Sequence, residues 1–221
     1  MPKLLEVSVS TEQILKDMGW FANLGFEERQ ANEILKHHYG VLGDSTFHVG
    51  LHQSEFKSPT LTYVLQNVGR FAPTLGNFIE FEDAELGELQ FNRVSFFDPG
   101  QQRVNLIEAR TFSPAFVDVP GSPGVLGTFE RFELPHTPER EAFWQLVQQI
   151  LRPTETDPTI DPIMYFNPQI ERPTAVYTGN LDALVVHSAK NGWQTFSVNA
   201  DDQGVLRTPF DFDILVNRAR F

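Results

Sequence analysis

His48 and His52 are the residues best equipped for chemistry in this chain, and the spacing between them limits what they can do. In Phe47-His48-Val49-Gly50-Leu51-His52 the apolar residues fall on every second position, which is the pattern of a strand with one buried face. On a helix, residues four apart could grip one ion. On a strand they stand roughly 13 Å apart, at about 3.3 Å per residue, so at most one of the two can serve a single site. Imidazoles titrate near pH 6.5 when unperturbed, so either could also make binding pH-sensitive.

The same parity applies to two further strands. Leu61 and Tyr63 alternate with Thr60 and Thr62, and Val104 and Leu106 alternate with Arg103, Asn105 and Ile107. If the apolar sets face the core, one opposite face gathers His48, His52, Thr60, Thr62, Arg103 and Asn105. That is a mixed set of imidazole, hydroxyl, amide and guanidinium suited to orienting a small molecule. Glu108 lies three residues past Asn105 on the other face, so it joins only through a bulge; a surface pair with Arg110 is the alternative. The adjacent His37 and His38 point about 100° apart on a helix and are expected to be exposed. His136 and His187 receive no role. The chain has no Gly-rich phosphate loop, no serine nucleophile elbow and no HExxH, and its lack of cysteine removes thiol catalysis and thiolate metal sites.

The elements that must hold these residues repeat. LLEVSVS alternates like a half-buried strand, and Ser10 with Gln13 has capping-box spacing before Ile14, Leu15, Met18 and Phe21. FERFEL likewise precedes Thr137-Pro138, a helix start, and a stripe of Phe143, Trp144, Val147, Ile150 and Leu151. Pro-Thr-x-x-Tyr occurs at Pro59 to Tyr63 and again at Pro173 to Tyr177, each followed by an Asn-capped helical pattern, 67–75 and 180–191. The run Val49 to Gln53 also echoes Val104 to Glu108. Four βαβββ units of about 55 residues account for these echoes, the third being least defined because of its acidic, Pro-rich stretch Thr154 to Pro162. A Pro/Gly-rich segment at 113–127 predicts a first domain over 1–112 and a second over 128–221.

In a chain of 221 residues, 29 acidic against 17 basic side chains leave a net charge of −12. That argues against nucleic acid and against anionic membrane surfaces as partners. No apolar run is long enough to span a membrane and MPKLLEVSVS is not a signal peptide, so a cytoplasmic protein is expected. Association into a homodimer is an open expectation.

Phe96-Phe97-Asp98-Pro99-Gly100-Gln101-Gln102 running into RVNLIEA is a hairpin by turn chemistry alone. It is similar to the DPDGN–strand signature of the vicinal oxygen chelate superfamily, the glyoxalase, bleomycin-resistance and extradiol-dioxygenase proteins. Gly124 to Val147 resembles the opening strand and helix of a further module of that kind. The resemblance implies an α+β fold of four βαβββ modules, paired into two domains with curved mixed sheets around ligand cavities. It also implies where a divalent ion would be held: the signature strand's carboxylate falls on Asn105 and Leu215, and a first-strand histidine on Thr60 and Thr174. These are neutral groups. The positions matching His48, Gly50 and His52 in the second half are Pro162, Met164 and Phe166, which with Val176 and Leu215 suggest an apolar concavity.

The first expectation is therefore a small-molecule-binding protein of the glyoxalase/bleomycin-resistance type, without the family's metal centre and with no cofactor. The alternative is a lyase or dioxygenase of the same superfamily with Zn, Fe, Mn or Ni on an atypical set, His48 or His52 with Glu108. A regulatory or structural protein with decayed cavities is the third.

Overall fold

A computed structural model describes residues 3–29, 37–44, 47–87, 92–109, 124–151 and 163–219. The first half runs β1 (Lys3–Ser10), α1 (Ile14–Ala22), β2 (Glu27–Arg29), β3 (Tyr39–Asp44), β4 (Phe47–His52), β5 (Thr60–Leu65), α2 (Val68–Leu75), β6 (Phe81–Glu85), β7 (Arg93–Phe97) and β8 (Arg103–Glu108). The second runs β9 (Thr128–Pro135), α3 (Pro138–Leu151), β10 (Tyr165–Asn167), β11 (Thr174–Gly179), α4 (Leu181–Asn191), β12 (Phe196–Val198), β13 (Gln203–Arg207) and β14 (Asp213–Arg218). Three βαβββ units are complete. In the third, the described residues give β9, α3 and β10, with 152–162 outside them. Arg110 and all but the last four residues of the 113–127 segment also lie outside the described residues.

Each half builds one curved mixed sheet, ordered β2-β3-β4-β1-β5-β8-β7-β6 and β10-β9-β11-β14-β13-β12. Within each complete unit the last strand runs parallel beside the first: β1 beside β4, β5 beside β8, β11 beside β14. Antiparallel pairs, β1 with β5 and β9 with β11, join the units at the middle of each sheet. The Pro-Thr-x-x-Tyr repeat occupies equivalent registers, since Thr60 pairs with Ser8 and Thr174 with Glu133.

Pairing within β9 and β10 corrects the expected second-half concavity. Tyr165 and Asn167 face the positions that Gly50 and His52 face in the first sheet, one residue later than the sequence echo suggested. Met164 is buried in the core, Phe166 packs against it, and Pro162 lies outside the described residues. Arg131, Glu133 and Asn167 hydrogen-bond along the face that carries Val176 and Leu215, so this concavity is not apolar.

The helix starts follow local chemistry. Thr137 Oγ1 accepts from the Arg140 amide, and Asn180 Oδ1 accepts from that of Ala183. The expected Ser10–Gln13 box is replaced: Ser10 stays in β1, and Thr11 Oγ1 accepts the Gln13 amide and donates to Asp17.

The two sheets share one core. Phe47 stacks on Phe129 at 4.7 Å and meets Phe212 and Tyr177 edge-on. Tyr63 donates to the Ile163 carbonyl at 3.0 Å. The turn before the last strand of each half docks on the first helix of the other. Buried Asp98 accepts from Arg140 Nε at 2.7 Å, Arg140 Nη2 at 3.1 Å and Trp144 Nε1 at 3.1 Å, all on α3. Gly100 lets that guanidinium lie on the turn, because a Cβ there would stand 2.2 Å from Arg140 Cζ. In the reciprocal contact Phe210 stacks on Phe21 of α1 at 4.9 Å and meets Trp20 edge-on at 5.3 Å. Among the described residues no helix is long and apolar enough to cross a membrane.

Candidate functional site

Strand parity places Val49, Leu51, Leu61, Tyr63, Val104 and Leu106 in the core. The opposite face of β4, β1, β5, β8 and β7 is left to line a pocket of about 160 Å³. Of the expected residues, His52, Thr62, Arg103 and Asn105 line it. Thr60 is wholly buried and its hydroxyl donates to the Lys57 carbonyl at 2.7 Å, so it secures the approach loop. His48, a strand-length away, lies against Gly43 and Arg29: a Cβ on Gly43 would come within 2.9 Å of His48 Cδ2 and Arg29 Nε.

The pocket floor centres on Glu6, 5 % exposed, which the sequence reading passed over. A carboxylate only accepts hydrogen bonds, so His52 Nε2, 2.9 Å from Glu6 Oε1, carries its proton there. In the neutral ring Nδ1 then accepts, at 3.1 Å, from His37 Nε2. Ser8 Oγ donates to the same Glu6 oxygen at 2.8 Å. Its one hydrogen being spent, Ser8 accepts from Thr62 Oγ1 at 2.9 Å, and Thr62 accepts from Asn105 Nδ2 at 3.2 Å. Asn105 Oδ1 in turn accepts from Ser95 Oγ at 2.8 Å and Arg103 Nη1 at 3.1 Å. Every bond in this chain runs toward Glu6. Gly50 makes room for it, because a Cβ there would stand 2.4 Å from Glu6 Oε1 and 2.6 Å from His52 Nε2.

Above the floor, Tyr39 stacks on His52 at 4.9 Å, and Phe56 covers Arg103 at 5.7 Å. Burial, then the neighbouring His52 and Arg93, hold the His37 imidazole below the usual histidine range. The expectation that His37 is exposed is thus corrected: it is half-buried against His52. His52 lines the pocket at 7 % exposure and is bonded to Glu6.

Glu108 does not join the pocket. It accepts from the Asn92 amide and side chain at the far end of β8, so His48, His52 and Glu108 do not converge. Nor do the positions at which the resemblance places metal ligands offer a suitable set. Thr60 and Asn105 are neutral and already engaged, Leu215 and Thr174 supply no anion, and hard divalent ions prefer carboxylate oxygens. Among the described residues no three His, Asp or Glu side chains are placed to share an ion. The residues present do not fit the family's metal.

What parity could not reveal was the contribution of β1 and β7. Glu6 and Ser8 sit on the polar positions of LLEVSVS, so the signal existed, but only the β1–β4 register aligns them with His52. Arg93 and Ser95 come from the strand just before the DPG turn.

No protein-family model matches the sequence, and no curated protein does. Solved structures do. A catechol 2,3-dioxygenase aligns over 98 % of this chain and 92 % of its own, with a TM-score of 0.56 and 12 % identity. The homoprotocatechuate 2,3-dioxygenase of Arthrobacter globiformis aligns over 99 % and 80 %, at 0.55 and 8 %. An Mn(II)-bound glyoxalase from Novosphingobium aromaticivorans aligns over 99 % and 83 %, at 0.53 and 9 %. At such identities the likeness is one of fold, and it extends over both halves: the chain has the vicinal oxygen chelate fold, with its βαβββ units paired in tandem.

Proposed function

We propose that the protein binds a small polar molecule in the first-half pocket, and that it does so without a metal ion in the family's position. The hydrogen-bonded floor from Asn105 to Glu6 carries this reading. Where the fold's metal enzymes need anionic and imidazole donors, this chain has an amide and hydroxyls tied to one another. A pocket of about 160 Å³ suits a compound of roughly benzene size. Polar groups converge on it from five strands, with Phe56 and Tyr39 as aromatic walls, as a specific small-molecule site requires.

The test is thermal stabilisation by a library of small compounds, read with and without chelator. Hits should persist in chelator and weaken when Thr62→Val cuts the hydroxyl link. Stabilisation abolished by chelator and restored by one divalent ion would overturn the proposal.

A further inference from the structure

The pocket's charges are sorted by strand. Glu6 is on β1, Arg103 and Arg93 are on β8 and β7, and neutral Thr62 on β5 lies between; Glu55 also lines the pocket, from the approach loop. β1 and β8 are separated by β5, so the acidic and basic sides are two strand spacings apart, about 10 Å between backbones.

Among the described residues Glu6 is bonded through Oε1 alone, by His52 and by Ser8. A carboxylate accepts through two oxygens, so Glu6 has capacity for a further donor. Among the described residues Arg103 uses Nε on Glu82 and Nη1 on Asn105, which leaves the Nη2 donors of its fork. Arg93 meets Asp83 at 3.5 Å and Glu85 at 3.3 Å, at the exposed rim.

Resting on the reading that this pocket binds a small polar molecule, we infer that its ligand is a zwitterion of amino-acid size, its ammonium on the Glu6 side and its carboxylate on the Arg103 and Arg93 side. A ligand with one charge would use only one of these spare positions, whereas a zwitterion brings an ammonium donor to Glu6 and a carboxylate acceptor to Arg103, a charge-assisted hydrogen bond at each end. An uncharged ligand would add neither. The volume of about 160 Å³ admits only a short spacer between the two charged ends. Gly50 fits the same assignment, since its missing side chain is what allows Glu6 to lie as a carboxylate against β4 and face the pocket.

Isothermal titration calorimetry at pH 7.5 tests this with three matched sets: alanine, β-alanine and γ-aminobutyrate; propionate and butyrate; propylamine and butylamine. At least one zwitterion should bind saturably, and its acid and amine counterparts at least tenfold more weakly. Glu6→Gln, close in shape to the native side chain, should weaken that zwitterion at least tenfold, and Arg103→Gln should do the same. Acids or amines binding as tightly as the zwitterions, or a zwitterion indifferent to Glu6→Gln, would overturn the inference. A neutral compound that binds and is lost on Thr62→Val, with every zwitterion silent, would overturn the inference and leave the pocket's binding role standing. Silence from zwitterions and from the whole compound library would overturn both.

Discussion

At the scale of single residues, Glu6 decides what the pocket is. It gathers an imidazole and a hydroxyl onto one oxygen, and the hydroxyl bonds pass that orientation across β5 to Asn105. Losing His52 therefore costs more than a ligand contact. His52→Ala leaves a buried carboxylate short of a partner, and should lower folding stability by about 1–3 kcal/mol, read as a shift of the urea midpoint at unchanged slope. Glu6→Gln keeps a side chain that can still accept from His52 and should cost less. The faces of His52, Thr62, Arg103 and Asn105 were legible from alternation alone, since period two admits only two faces. Glu6 was not singled out because a lone carboxylate in LLEVSVS looks like any solvated strand position until register sets it opposite His52. His37 belongs to no periodic element and reaches the site through the tertiary fold alone.

At the scale of elements, the turn from Asp98 to Gln102 has two tasks. Its own geometry closes when the Gln102 amide donates to Asp98 Oδ1 at 2.9 Å, and the same carboxylate takes two guanidinium bonds and an indole bond from α3. Arg140→Met should destabilise the protein by about 3–5 kcal/mol, because a buried charge loses its counter-ion. The total loss in the double variant with Asp98→Asn should be smaller than the sum of the two single losses, as a double-mutant cycle by chemical denaturation would measure. Gly100→Ala should also be destabilising, since the new methyl meets the guanidinium. The turn itself was readable from Asp-Pro-Gly. Its partner was not, because Arg140 is read from sequence as an ordinary exposed residue in the first turn of an amphipathic helix. The third unit shows the opposite failure: an echo of short apolar residues placed β10 one residue out of register, and one residue exchanges the two faces of a strand.

At the scale of the whole molecule, the halves meet at Asp44 as well. This carboxyl ends β3, accepts the Gly124 amide at 3.1 Å, and keeps its other oxygen buried without a hydrogen-bond partner among the described residues. Burial pushes its pKa up to about 6, against the pull of the Gly124 amide and Arg29 and with a push from Glu27. The phenol of Tyr177, buried without a hydrogen-bond partner among the described residues, is pushed above its ordinary range by burial and by Asp44. An acid whose pKa is raised on folding favours the folded state below its unfolded value and loses that advantage as pH rises through the folded one. Asp44→Asn should therefore be close to neutral near pH 4 and stabilising by about 3 kcal/mol above pH 7, a shift of about two units at about 1.4 kcal/mol each. Urea titrations of both proteins across this range would measure it; a constant difference would show that Asp44 does not titrate between them. The shared core has a further consequence, one of timing. A ribosome finishes β8 about a hundred residues before it makes Phe210, so the first sheet can be complete while Phe21 and Phe47 still lack the aromatic partners that the second half supplies. Throughout that interval the nascent first half carries exposed aromatic surface, and the time spent translating the second half sets how long it must be kept from sticking to other chains.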